Sequence, residues 1–479
     1  MKKILALLMV MAPVFALQAS SETPVCEFTK LHLAKQLKLS VECKGSYLQY
    51  CEEKGCGIQE NVDKRRELKI AGFNVYNLGM EQDIKGNKLT ALKDHRILAE
   101  VIGQFDLVAA IELKHFAKED MVYNMALAKN PINGLAFRVP AYLQVLRQLQ
   151  AKDSSWSLIL APDLFGINPA DTLNNELSGF FYRRNVVAPV HTEYCKSLAC
   201  AVPAKEFKAD VARKPFLASF TSGKSTFTMA AVHFRYRYPY IGDGKKSMLN
   251  EALYNPMLKV YEFEAHTGFV YNPKVKSQVE EKYETSSRFS EVKSVSNFLG
   301  RLVANSRQKD VLLYGDFNLM APREEEAKTP KEAAFRRAWM DEKGVLENFK
   351  GAAPYVNKLS TVGKEQLSNA FDHFVFSKSG SLKGCNTANA DVFNFTDRDQ
   401  FRAGDELIKS LDLEKFKQSL RTEMKLEKGK AIPRYSSGKV DFLSIGFQTK
   451  VLDSYQKGTF TVYQELISDH LPISMSCSF

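Results

Sequence analysis

Val311-Leu-Leu-Tyr-Gly-Asp-Phe-Asn318 reads as a short apolar strand that stops on a carboxylate and an amide. Such a run suits a strand buried on both faces. Asp316 and Asn318 are separated by one residue, and on an extended backbone they point to the same side. Four more runs end the same way. Leu68-Lys-Ile-Ala-Gly-Phe leads into Asn74, and Asp106-Leu-Val-Ala-Ala-Ile closes on Glu112. Phe227-Thr-Met-Ala-Ala-Val closes on His233, and Asp469 and His470 stand in Ile467-Ser-Asp-His-Leu-Pro-Ile473. One polar residue at a strand end is ordinarily a turn cap. Five such ends in one chain are harder to dismiss.

Working outward, strands alternate with helices, as in an α/β protein. Residues 94–103 predict a helix with Ile97, Leu98, Val101 and Ile102 on one face. Residues 139–150, opened by Pro140, predict an amphipathic helix, and 286–305 another. Short strands are expected at 157–161, 179–182, 216–220, 227–232, 371–377 and 440–445. Segments 115–138, 237–284 and 396–437 read as insertions, the last charged, helix-prone and expected to be a solvated outgrowth. A chain of 479 residues with 45% apolar residues can bury a sizeable core.

Met1-Lys2-Lys3, an apolar run from Ile4 to Leu17, then Ala19 and Ser20 have the layout of a cleavable secretory signal. The run is short of the roughly 20 residues a membrane span needs, so cleavage is expected after Ala19, without stable membrane insertion. The expected destination is the periplasm or the exterior. The formal charge of +11 falls to +9 once Lys2 and Lys3 are removed. A basic surface favours polyanions such as nucleic acid, lipopolysaccharide or anionic lipid, without choosing among them.

Residues 20–64 read as a small cysteine-stapled appendage, with 26–33 and 37–43 able to form a hairpin; residues 65–479 form the main domain. Eight cysteines in an exported chain suggest disulfides. The expected pairs are Cys26–Cys43 across the hairpin, Cys51–Cys56 and Cys195–Cys200 locally, and Cys385–Cys477 by elimination. A zinc site is the rival for the first four cysteines, whose spacing is irregular.

Glu112, Asp316 and Asp469 with Asn74 make an all-oxygen set, which suits Mg²⁺, Mn²⁺ or Ca²⁺ better than zinc. Ser-Asp-His places a carboxylate and an imidazole side by side, one for a metal and one for proton transfer.

This ordered pattern resembles the endonuclease/exonuclease/phosphatase superfamily, from about residue 68 to the C-terminus. Gly-Asp-Phe-Asn and Ser-Asp-His-Leu-Pro carry the resemblance most specifically. It implies a four-layer sandwich of two packed mixed β-sheets flanked by helices, with the site at one end of the sheets. Within the superfamily the chain looks most similar to pancreatic-type deoxyribonuclease. The helix 139–150 followed by Ser155-Trp-Ser-Leu-Ile-Leu-Ala-Pro162 matches that enzyme, and so does Asn175-Glu-Leu-Ser-Gly-Phe-Phe-Tyr-Arg-Arg-Asn185. The match maps a catalytic glutamate to Glu176 and a DNA-contacting arginine to Arg213. Two departures stand out: Asn174 occupies a family tyrosine position, and Cys195/Cys200 are more widely spaced.

The resemblance implies in-line attack of water on a phosphodiester. His470 would activate the water, oriented by Asp372 or by Asp441, with Asp372 fitting the deoxyribonuclease layout better. His233 would protonate the leaving oxygen, oriented by Glu176, and Asn318 would hold a phosphate oxygen or the nucleophile. The run His233-Phe-Arg-Tyr-Arg-Tyr-Pro-Tyr240 could hold phosphates and stack bases through Arg235, Tyr236 and Arg237. The expected substrate is DNA, with RNA not separated from it, and the expected state is a monomer. Two rivals remain: a secreted sphingomyelinase-like phospholipid phosphodiesterase, and an inactive module that only holds nucleic acid.

Overall fold

The computed structural model describes residues 37–57, 67–78, 82–85, 88–114, 140–161, 176–235, 254–255, 260–261, 288–318, 349–351, 358–377, 385, 390–411, 454 and 456–478. Along the chain the first strands are β1 (Leu39–Lys44), β2 (Tyr47–Glu52), β3 (Glu67–Leu78), β4 (Gln82–Lys85) and β5 (Lys88–Leu92). Helix α1 (His95–Ile102), β6 (Leu107–Lys114), α2 (Ala141–Lys152), β7 (Trp156–Leu160) and β8 (Glu176–Arg183) follow. Next come β9 (Ala188–Val190), β10 (Ala199–Ala201), β11 (Phe216–Ser222), β12 (Ser225–His233), β13 (Tyr254–Asn255) and β14 (Val260–Tyr261). The rest are α3 (Arg288–Asn305), β15 (Val311–Asp316), β16 (Phe349–Gly351), β17 (Asp372–Ser377), β18 (Asp391–Val392), α4 (Arg402–Lys409), α5 (Thr461–Leu466) and β19 (Ile473–Ser478).

Two mixed sheets result. The first runs β1-β2-β7-β8-β6-β3-β19-β18, the second β10-β11-β12-β15-β17-β16 with β9 beside β11. Each holds one parallel pair, β3 with β6 and β12 with β15. Parallel neighbours need a crossover, and α1 and α3 supply them. Asp94 caps α1 by accepting from the backbone N–H groups of Arg96 and Ile97.

Strand periodicity sorts the second sheet's side chains into two faces. Leu217, Ala230, Val232, Leu313 and Val375 pack with Val292, Val295 and Leu299 of α3. Their alternates Phe216, Met229, Ala231, Leu312, Tyr314 and Phe374 join the larger core shared with the first sheet, α1 and α2. The layers are therefore helices, sheet, sheet, helix, the sandwich expected from the sequence. Asp316 and Asp372 follow the inner-face phase of Tyr314 and Phe374, and His233 that of Ala231. All three polar groups are thus placed between the sheets.

Gly72 shows how closely the sheets approach. A Cβ there would lie 2.0 Å from the ring of Tyr314, which is fully buried. Overpacking typically costs about 1–3 kcal/mol, so Gly72→Ala should lower the denaturant midpoint by that amount of stability or more. A wild-type midpoint would mean that the Tyr314 ring can move freely, contrary to the packing.

The N-terminal cysteine segment is built onto the sandwich as a sheet edge. β1 pairs with β2, and β2 pairs with β7. Leu39, Tyr47, Leu48 and Tyr50 are buried in the main core. Residues 26–33 lie outside the described residues. Arg184, after β8, holds the Cys51–Cys56 loop by donating to the carbonyls of Gly55 and Gly57 and pairing with Glu52. Cys195–Cys200 and Cys385–Cys477 are also bonded, and Cys43 is in a disulfide while Cys26 lies outside the described residues.

The insertion 396–437 differs from expectation where it is described. Phe401 and Ile408 are 2% exposed and join the main core, because α4 turns one apolar stripe inward. Residues 412–437 lie outside the described residues, as do 1–36, 115–138, the strand expected at 440–445 and most of 237–284. Among the described residues no helix is long and apolar enough to cross a membrane.

Candidate active site

Strand register assembles one side of the site. His233 is the register partner of Asp316, and Asp316 of Asp372. Adjacent registered residues share a face, so an imidazole and two carboxylates stand in a row. His470 enters from the other direction. Its segment bridges Thr361, and Val362 N–H donates to the Asp469 carbonyl at 2.7 Å.

Two imidazole–carboxylate pairs follow. His233 Nδ1 lies 2.8 Å from Glu176 Oε2, and His470 Nδ1 lies 2.6 Å from Asp372 Oδ2. Their Nε2 atoms face the same oxygen: Asp316 Oδ2 is 3.6 Å from His233 and 3.5 Å from His470. Asn318 Nδ2 is 3.3 Å from His233 Nε2 and donates to the Phe234 carbonyl at 3.1 Å. Asp441 lies outside the described residues.

The first sheet contributes Asn74 and Glu112. Asn74 Nδ2 donates to Glu112 Oε1 at 3.0 Å and to Asp316 Oδ2 at 3.1 Å. Strict alternation would put Glu112 on the face opposite Ile111, the register partner of Asn74. Instead the pairing slips between Ala110 and Leu113, and Glu112 takes φ +61°. Such irregularities re-aim side chains beside functional sites. Tyr76 (φ +45°), Asn77 (φ +55°) and Asn318 (φ +51°) are left-handed too. Non-glycine residues held there store strain, on the order of 1–3 kcal/mol each. Local bonds help to hold them: Tyr76 N–H donates to Asn74 Oδ1, Asn77 N–H to Glu112 Oε2, and Asn318 N–H to Asp316 Oδ1. Asn318 therefore reaches the site through a turn beyond the strand, not along the extended backbone the sequence suggested.

No protein-family model and no curated protein matches the sequence. Similar solved structures exist. The human Nocturnin catalytic domain with bound sulfate is 11% identical over 69% of this chain and 87% of that one, with a TM-score of 0.33. An endonuclease/exonuclease/phosphatase family protein from Leptotrichia buccalis is 11% identical over 86% and 100%, with a TM-score of 0.37. TDP2 of D. rerio, in complex with a single-strand DNA product, is 10% identical over 86% and 98%, with a TM-score of 0.36.

The two pairs differ in what surrounds the carboxylate. Glu176 is gripped by Lys114 Nζ at 3.0 Å and by Arg213, whose Nε is 2.5 Å and Nη2 3.1 Å away. Burial opposes its ionisation, but the hydrogen bond and charge of His233, with Arg213 and Lys114, outweigh burial and hold the carboxyl well below its usual range. Asp372 has neutral donors instead: Tyr314 Oη at 2.9 Å and Ser360 Oγ at 2.7 Å. Both imidazoles are pushed up. Burial works against this in each, and the carboxylates overcome it, chiefly Glu176 and Glu112 for His233, and Asp372 and Asp316 for His470.

Lys114, Tyr314 and Ser360 were not anticipated. Lys114 and Tyr314 lie two residues from Glu112 and Asp316, a same-face spacing that could have signalled them. Ser360 carries no local signal. Arg213 is committed to Glu176, and Arg235 to Asp210 and the buried Glu291. Tyr236 and Arg237 lie outside the described residues.

The carboxylates fit a hard cation. Asp469 Oδ1 is buried and, among the described residues, accepts no hydrogen bond. Burial, before any neighbouring charge, raises Asp469, and it raises Asp316 to about 6. Burial makes the charged forms of Asp316 and Asp469 costly, a cost that a divalent cation held by them and Glu112 would relieve. Asn74 turns its amide nitrogen to the carboxylates of Glu112 and Asp316 while its oxygen accepts from Tyr76 N–H, so in this arrangement it orients them. Glu112, Glu176 and His233 also bring ligand atoms within 4.8 Å of one another. There, however, Glu176 is already neutralised by Lys114 and Arg213.

Proposed function

We propose that this chain is a divalent-metal-dependent phosphodiesterase of the endonuclease/exonuclease/phosphatase superfamily that hydrolyses DNA. One observation carries the reading: two carboxylate-held imidazoles present Nε2 to the same oxygen of Asp316, at 3.6 and 3.5 Å. That arrangement suits a phosphate flanked by one proton acceptor and one proton donor.

His470, in its neutral form, takes the proton from the attacking water at Nε2, with Asp372 fixing its ring through Nδ1; a cation at the neighbouring carboxylates would oppose the negative charge that pushes this imidazole up. His233 gives a proton to the leaving oxygen, its ring fixed by Glu176. Asn318, beside His233, donates to a phosphate oxygen. Glu112, Asp316 and Asp469, oriented by Asn74, would hold Mg²⁺, Mn²⁺ or Ca²⁺. When bound, the cation neutralises charge building on the phosphate.

DNA is favoured by the net charge, +11 for the full chain and +9 once Lys2 and Lys3 are removed with the signal, and by the arginine–tyrosine run after His233. Because Arg213 and Arg235 are paired with carboxylates, Tyr236 and Arg237 carry more of the proposed DNA contact. The signal-like N-terminus and the disulfides favour a secreted or periplasmic location.

The test offers the purified protein plasmid DNA, RNA and sphingomyelin vesicles, with Mg²⁺ or with chelator. Plasmid should be cut only with the metal, and vesicles should stay intact. Vesicle hydrolysis with intact plasmid would move the reading to a phospholipid phosphodiesterase. Plasmid binding with no cleavage under any metal would make the chain a binding module.

A further inference from the structure

Lys93 belongs to neither imidazole pair, yet it is only 2% exposed. Its Nζ donates to the carbonyls of Ile467 at 3.0 Å and Gln464 at 3.2 Å. The next residue adds a third tie, because Asp94 N–H donates to the Leu466 carbonyl at 3.1 Å. These carbonyls lie at the C-terminal end of α5, whose own groups have few intrahelical partners there. Ser468, Asp469 and His470 follow immediately. The ammonium also lies over the Tyr76 ring, 4.8 Å from its centre. Lys93 therefore joins the strained end of β3 to the chain that delivers Asp469 and His470.

A buried ammonium is costly unless it is paired and hydrogen-bonded. Burial lowers Lys93 to about 8, against the pull of Asp469, Glu465 and Glu112. A methionine could fill similar space without a charge, so packing alone does not explain the lysine. The site explains it: Lys93 Nζ donates to two carbonyls, lies over an aromatic ring and is drawn by the charges of Asp469, Glu465 and Glu112.

We propose that Lys93 is a positioning residue, which clamps the end of α5 and so sets where Asp469 and His470 stand. It touches neither substrate nor reacting atoms. Its expected effect on rate rests on the phosphodiesterase reading; its effect on His470 does not.

The experiment compares wild type, Lys93→Met and Lys93→Arg in the full chain. It measures plasmid kcat and KM, and the ¹H–¹⁵N imidazole resonances of His470 and His233 without substrate. A displacement of about 1 Å can cost ~10²-fold in rate, so Lys93→Met should lose at least about tenfold in kcat with KM little changed. Its His470 resonances should move while those of His233 stay. Lys93→Arg, which keeps the charge and the donors, should recover part of the rate. If Lys93→Met does not fold, Lys93→Gln, which keeps a donor without the charge, is read by the same criteria. An unchanged kcat in a folded variant overturns the proposal, and so do equal shifts at both histidines. A wild type inactive on DNA would sink the phosphodiesterase reading, while the resonance comparison would still decide the role of Lys93.

Discussion

His470→Ala and His233→Ala are each expected to cut plasmid DNA at least a hundredfold more slowly than wild type, since general acid or base catalysis contributes ~10²–10⁴-fold. The double variant should be little worse than the poorer single one, because groups acting as a unit are not additive. The fold should survive both changes. Without His233, Glu176 keeps Lys114 and Arg213; without His470, Asp372 keeps the hydroxyls of Tyr314 and Ser360. DNA binding in Ca²⁺ should therefore persist, and filter binding beside single-turnover cleavage separates the two effects. A folded His470→Ala protein cutting at near the wild-type rate would falsify the proposed mechanism but leave the fold untouched.

Asp316→Asn should separate activity from stability. Asp316 Oδ2 meets both imidazoles and the Asn74 amide, so its loss should cost more than the 10–100-fold typical of outer partners of a metal site. The metal-free protein should nevertheless melt higher than wild type above pH 7. Burial raises the Asp316 carboxyl from 3.8 to about 6. The folded chain then holds a proton that the unfolded chain releases, and the associated stability is complete below the unfolded value. That stability is lost as pH rises through the folded one. Asparagine stays neutral and keeps it. Thermal melts in chelator across this range provide the check; a variant that melts lower at every pH would show that the carboxylate stabilises its surroundings.

Much of the site was legible in the sequence, because local pattern encodes which face a strand side chain takes. The apolar runs before Asp316 and His233 placed each at a strand end, where β15 and β12 stop, whereas Asn74 and Glu112 lie inside β3 and β6. Helix α1 was equally readable from Asp94 and the spacing of Ile97, Leu98, Val101 and Ile102. The tertiary structure decided the rest. Asp372 meets His470 across 98 residues, through the register of β15 with β17 and the bridge of Thr361 to His470. No periodicity in either segment specifies that meeting. Glu112 faces the site only because its backbone turns left-handed and the pairing slips, which strict alternation would not produce. Lys93 and Lys114 acquired their partners from elements distant in sequence, the end of α5 and the start of β8. The hairpin at 39–52 became a sheet edge because β2 found β7. The sequence by itself determined which groups could do chemistry and, where alternation held, as for Asp316 and His233, which face of the strand they would take. Their pairing depended on long-range register, which arises only when separated strands bury their apolar faces together.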